Sequence, residues 1–587
     1  MSSTRPFMLE TLIDFPDDAL HARDVVTEAH VDAMMAGLAK IGVRRASWDS
    51  YGDGHGGFFL PTGLADLTGE DERSESWRRY GATLDVLRNP LKTAVEAGHR
   101  HGIEVYGYYK PYETGPAMYF PEGSPEARAY GRLWKLGGYL TWLDPFVVQH
   151  PELRIKRWDD ALHGQGEPIC AVRLTKKDDS PTRVTADHLQ VWTSDLNYRY
   201  QRFDGDFKVV ETVEPAARDV YDMDGNRLTA AGDPVRALTL SGFEVRDRYV
   251  MVTTDFAEGP ADFENSGVDL MAALDRDGQE ITGVFATGAA IWEGDKADFR
   301  KWGLMFDDGW ARMPICLDDP NTTPPGPVGY GLGHRGVIAF TAGRNAYLPA
   351  ALCETEPAVQ AYWLRWIQEM IDAGVDGVDF RVEGHSTHTD CPGAYGYNDI
   401  VMEQAAARRP NDPLGAVPEV RGEAYTAFLQ RARALLREHG RAMRINLNID
   451  YFRPDPPGPE LPAYPANIDF NWKQWVEMDL LDEAIMRFFR SPFDWLFDDP
   501  IAQDMIATCE RHGVSVVVNR YMTDLAGLPQ AGNDREAEFR RVREDGRFAG
   551  FILYESDTFG GWDEQGNWSV RRDDVKGLCR AFAETSR

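Results

Sequence analysis

Five times along this chain a helical stretch closes on a glycine and an apolar strand begins at once. "HVDAMMAGLAKIG" runs into "VRRASWDSYGDG", "PLKTAVEAGHRHG" into "IEVYGYYKPYETG" and "PAVQAYWLRWIQEMIDAG" into "VDGVDFRVEGHS". "EAYTAFLQRARALLREHG" leads to "AMRINLNIDYF", and "PIAQDMIATCERHG" to "VSVVVNRYM". A further apolar strand, "FAGFILYESDTF", lies near the end. Helix, closing glycine and buried strand in that order are the grammar of a parallel α/β fold. "TWLDPFVV" and "DEAIMRFFR" are weaker strands that bring the count to about eight, the number a closed (β/α)8 barrel requires. An open doubly wound sheet would need a glycine-rich phosphate turn after an early strand, and the sequence has none.

Between the barrel segments the hydrophobic period changes. "ICAVRLTKK", "HLQVWTSD", "FKVVETVE", "RALTLSGFEV" and "RYVMVTTDFA" alternate apolar and polar residues and are joined by Asp-Gly and Gly turns. That pattern predicts an antiparallel β domain, sandwich-like, inserted after the third barrel unit. The expected division is 1–160 for the first part of the barrel, 161–300 for the insert and 301–587 for the rest. "YDMDGNRL" lacks the ligands of a calcium loop and reads as a hairpin turn.

Bulk properties narrow the partners. With 63 basic and 94 acidic residues the net charge is −31, which argues against nucleic acid and anionic membrane surfaces. The six cysteines, at 170, 316, 353, 391, 509 and 579, form no C-x-x-C pair, so neither a zinc ribbon nor a disulfide framework is expected. "MSSTRPFMLETLIDFPDDAL" has no apolar signal core, and no run of about 18 apolar residues occurs, so a cytoplasmic enzyme is expected.

In a (β/α)8 barrel the functional groups stand at the C-terminal ends of the strands. The most telling end is "GVDGVDFRVEGHSTHTD", where Asp379, Arg381 and Glu383 occupy every second position. Extended backbone sends them to one face, and a charged face cannot look into an ordinary core. Other strand ends carry Trp48 and Asp49, Tyr108 and Lys110, Asn446, Asn448 and Asp450, Asn519 and Arg520, and Glu555 with Asp557 and Trp562 nearby. Carboxylates, amide and guanidinium donors, and aromatic faces suit a polyhydroxylated ligand. Two carboxylates across a cleft are the minimum equipment for hydrolysing a glycosidic bond.

"AGVDGVDFR", "EAGHRHGIEVYGYY" and "LYES" resemble the TIM-barrel glycoside hydrolases, especially the bacterial glycosidase-like families. "FRVEGHS" is also similar to the fourth strand of the alpha-amylase superfamily, where Arg-x-Asp supplies the nucleophile. Glu383 stands in place of that Asp, and Asp450 is the nearest residue to the fifth-strand Glu. The resemblance implies glycoside hydrolysis with no cofactor, and the lack of a signal core leads to the expectation of oligosaccharides or small glycosides as substrates.

The residues themselves point the same way. Glu383 is expected as one catalytic carboxylate and Asp450 or Glu555 as the other. Carboxyls about 5 Å apart would imply a retaining route, and about 6.5–9.5 Å an inverting one. Trp48, Asp49, Tyr108, Lys110, Arg381, His385, Asn448, Arg520, Asp557 and Trp562 are expected to contact substrate. Asp379, deepest in the barrel, is expected to pair with Arg381. The plain alternative for Asp450 is a loop cap or a hydroxyl contact. Two other classes stay open. His385 and His388 with Asp390 offer metal ligands for a metal-dependent hydrolase or isomerase, although their loop is no helix face. A barrel that binds sugar without cleaving it is the second, and a homo-oligomer fits any of these.

Overall fold

The computed structural model describes residues 7–49, 72–114, 133–136, 139–142, 145–158, 167–194, 199–221, 227–246, 249–255, 271–281, 285–292, 305–306, 309–310, 316–318, 336–342, 347–382, 384, 387, 392–452, 467–488, 491–522, 530 and 532–585. Eight parallel strands close into a barrel: β1 (Met8–Asp14), β2 (Val43–Asp49), β3 (Glu104–Tyr109), β4 (Gly377–Phe380), β5 (Ala442–Asn448), β6 (Glu483–Arg487), β7 (Ser515–Tyr521) and β8 (Phe548–Tyr554). The glycines that close the five helices all have positive φ, from 64° at Gly440 to 98° at Gly42. Helix starts follow familiar capping chemistry. Asn89 accepts the Lys92 N–H and Asp499 accepts those of Ile501 and Ala502, each ahead of a proline in the first turn.

Two strands differ from the sequence reading. β1 comes from "MLETLID", ahead of the first helix–strand unit, and pairs with β2 and β8. "TWLDPFVV" is no barrel strand: Tyr139–Trp142 makes a hairpin with Leu133–Leu136, and Pro145 opens a short helix to Gln149. Proline cannot donate to a sheet ladder but suits the first helical position. The insert still follows the third barrel strand. Most strands from Ile169 to Ala342 belong to two sheets that share an apolar core of residues such as Val172, Leu174, Val191, Leu240, Val250 and Val252, while Met305–Phe306 pairs with Gly309–Trp310. One sheet has four antiparallel strands. The other has six and ends its run along the chain at Gly336–Ala342.

The barrel interior is layered, as alternation along eight strands demands. At the bottom lies a buried ion network. Arg444 on β5 reaches Glu10 on β1 (2.7 Å) and Glu483 on β6 (3.3 Å), and Arg45 on β2 binds the same two acids at 3.2 and 2.6 Å. The guanidiniums of Arg45 and Arg444 also face the Tyr106 ring, at 4.7 and 5.3 Å from its centre respectively. Above sits an apolar plug of Leu12, Ile485, Val517 and Ile552 with Tyr108 and Tyr554. The plug separates this network from a second polar layer at the C-terminal strand ends, a cup of charged, amide and tyrosine side chains.

Candidate active site at the barrel mouth

The strands set inward residues around the cup: Asp14 on β1, Asp49 on β2, Lys110 just past β3, Arg381 just past β4, Asn448 on β5, Arg487 on β6, Asn519 and Tyr521 on β7, and Tyr554 on β8. Glu555 follows Tyr554 at the lip, joined to it by a cis peptide bond. Charges divide the ring into two sides. On the β1–β3 side the Lys110 ammonium lies 2.6 Å from Asp49, 3.6 Å from Asp14 and 4.0 Å from Glu113, all four groups buried. These carboxylates push its pKa well up against the opposing effect of burial. On the β4–β6 side, Arg487 donates to the hydroxyls of Tyr108 (3.3 Å), Tyr521 (3.2 Å) and Tyr554 (3.5 Å). Arg381 donates to the same Tyr554 hydroxyl at 3.3 Å. Burial raises the pKa values of all three tyrosines, so they stay protonated.

Glu555 stands between these sides and is half-buried. Its carboxyl is pushed well above the usual range, first by desolvation and then by the fields of Asp14, Asp17 and Asp557, with Lys110 opposing. Beneath it the turn Ser556–Thr558 is fastened to α1 (Phe15–His21), where the Ser556 hydroxyl donates to Asp18 Oδ2 at 2.5 Å. Asp18 is buried, and its pKa is likewise raised well above the usual value by desolvation and by Asp557. Asp557 Oδ2 lies 3.2 Å from His21 Nδ1.

The structure brings together Asp49, Tyr108, Lys110, Arg381 and Asn448, and places Glu555 and Asp557 at the lip. It sends three other expected contacts elsewhere. Trp48 lies on the outer face of β2, fully buried and stacked on Phe15 with ring centres 4.8 Å apart. Arg520 faces outward from β7 to Glu538 at 2.7 Å. Both are one residue out of phase with the inward set, and a one-residue step along a strand reverses the face. The Trp562 indole N–H donates to the His30 carbonyl at 2.8 Å, beyond the ring. Asp450 is buried past the end of β5, where one carboxylate oxygen accepts from both the backbone N–H and the hydroxyl of Ser491. Asp379 accepts from Asn446 at 2.5 Å and Ser47 at 3.2 Å, and the cation in its field is Arg444, not the expected Arg381. Burial pushes it up to about 6. Glu383, His385, His388 and Asp390 lie outside the described residues. Among the described residues no cluster of three or more His, Cys, Asp or Glu could hold a metal ion, and no helix is long and apolar enough to cross a membrane.

Sequence reasoning missed Asp14 with its strand, and Arg487, which ends a weak strand. Only the period of two along "EAIMR", continued from Glu483 and Ile485, points Arg487 inward.

The fold and the site together define a (β/α)8 barrel with an ion network at its floor and a charged, tyrosine-rich layer at the strand ends. Neither a family model nor a curated protein sequence matches the chain. Solved structures similar to it include the catalytic domain of beta-amylase from Paenibacillus polymyxa, at 7% identity with 100% of both chains covered and a TM-score of 0.34. A GH18 chitinase from Flavobacterium johnsoniae is 10% identical over 40% of this chain and 69% of its own, with a TM-score of 0.23. A glycoside hydrolase domain from Bordetella bronchiseptica is 12% identical over 37% of this chain and 62% of its own, with a TM-score of 0.26.

Proposed function

We propose that this protein hydrolyses O-glycosidic bonds of oligosaccharides or small glycosides by a two-carboxylate mechanism. The observation that carries the reading is Glu555. It is a carboxyl that holds its proton well above the usual range, at the lip of a barrel mouth, within the field of Asp14 of β1, which pairs with Lys110. Carboxyls kept in different protonation states within one site are what acid-assisted cleavage of an acetal needs. Glu555 gives its proton to the glycosidic oxygen as the bond to the anomeric carbon breaks. Water then supplies hydroxide to that carbon and returns a proton. Glu383, two residues beyond Arg381 in sequence, is proposed as the second carboxylate. Asp450 suits the part less, because the Ser491 backbone and hydroxyl already bond one of its oxygens.

Aryl glycosides of both anomers and short oligosaccharides test the reading, with the first product's anomer followed by NMR. Turnover that falls by roughly 10²–10⁴-fold in Glu555→Gln, with ligand binding retained, is the expected result. A Glu555→Gln protein as active as wild type would overturn the assignment. So would activity abolished by a chelator and restored by a divalent ion.

A further inference from the structure

We propose that the β4–β7 side of the mouth is a carboxylate-binding subsite, which makes the substrate a glycoside of a uronic acid. The inference rests on the glycosidase reading for the reaction, but the subsite itself stands on separate observations.

Arg381 and Arg487 bring two guanidiniums, both at most 5% exposed, onto the one hydroxyl of Tyr554. Guanidinium groups match a planar carboxylate in shape and in charge-assisted hydrogen bonding. Beside them is Asn519. Its Cα lies one step past the Met486–Val518 pair of β6 and β7, level with Arg487. Val517 before it belongs to the plug inside the barrel, so the alternation of β7 turns the Asn519 side chain into the cup. That side chain is 1% exposed, and among the described residues neither its amide nitrogen nor its carbonyl oxygen has a hydrogen-bond partner. Buried amides are almost always bonded, and an exception needs a reason. A ligand carboxylate held by Arg487 would take the amide N–H, and a neighbouring sugar hydroxyl could donate to the carbonyl.

The rest of the ring fixes the orientation. Asp14, Asp49 and Glu113 make the β1–β3 side repel an anion, so the sugar carboxylate must turn towards Arg381 and Arg487. Tyr521, whose hydroxyl accepts from Arg487, lies within the field of Glu555, so the anion site and the proton donor face one sugar ring from the same mouth. A uronic acid carries its carboxylate on that same ring.

The test pairs aryl uronides with the aryl hexosides that differ only at C6, for wild type, Arg487→Met, Arg487→Lys and Asn519→Ala. Thermal melts are run alongside to exclude unfolded variants. Free uronic acid and the matching hexose are titrated calorimetrically against each protein. The expected result is a kcat/KM at least about 10²-fold higher for a uronide than for its hexoside. That preference should collapse in Arg487→Met and partly return in Arg487→Lys. Equal turnover of both series, or of hexosides alone, would overturn the subsite and leave the glycosidase reading intact. Uronic acid binding that Arg487→Met abolishes, without cleavage of any glycoside, would support the subsite and sink the hydrolase. Absence of both uronide cleavage and uronic acid binding overturns the subsite.

Discussion

A carboxyl that donates a proton near neutrality must hold that proton, and the same property lowers the stability of the folded chain. The Glu555 pKa is higher in the folded state than in the unfolded one. Between the usual value and the raised one, the native protein therefore binds more protons than the unfolded chain. Stability falls as pH rises through that window, and the penalty is complete above it. Glu555→Gln should thus melt at a higher temperature than wild type at pH 8 while losing turnover, and the two should melt together near pH 4. A calorimetric pH series checks this, and a lower melting temperature for the variant at pH 8 would refute it. Asp14 is a second handle. Its charge stands next after desolvation among the causes that hold the Glu555 proton. Asp14→Asn should lower the Glu555 pKa and move the alkaline limb of the pH–rate profile to more acidic pH. A limb that stays in place would show that another group sets it.

At the scale of elements, what the sequence made legible followed from period and punctuation. The closing glycines located five helix ends, and the alternation of Asp379 and Arg381 put one face of β4 inside the barrel. Phase was harder to read. Trp48 and Arg520 neighbour true mouth residues, yet nothing local says which parity of a strand buried on both faces points inward. β1 escaped notice because no helix–glycine unit announces it. Gly377 shows a further limit, since the reason for it lies on two other strands. A methyl group there would come within 2.3 Å of the Tyr106 ring on β3 and 2.8 Å of the Ala442 carbonyl oxygen on β5. The missing side chain lets Tyr106 lie between the guanidiniums of Arg45 and Arg444. Gly377→Ala should therefore destabilise the protein by about 1–3 kcal/mol through overpacking. Urea denaturation measures it, and an unchanged midpoint would mean that the ring can shift at no cost.

For the whole molecule, stability depends on groups that the chain brings together from its two ends. Glu10 and Arg444 meet across the barrel floor, as do Arg45 and Glu483, and no local pattern reveals such partners. Removing one member of a buried ionic set strands the others, so Arg444→Met should cost about 3–5 kcal/mol. An unchanged melting temperature would show that the remaining charges are hydrated. The insert is bound into the same body. Trp192, from its six-stranded sheet, is fully buried, donates its indole N–H to Thr253 at 2.8 Å, and belongs with Met251 to the apolar cluster of the barrel, not to the insert's own core. Just after the insert, Tyr347–Leu352 pairs with Arg154–Lys156, which precedes it, and so clasps its two ends. Insert and barrel should accordingly unfold in one cooperative transition. Trp192→Ala leaves a cavity at their junction and should cost about 3–5 kcal/mol. Scanning calorimetry should then show one peak displaced to lower temperature. Two peaks, with only the first displaced, would show that the insert folds independently of the barrel.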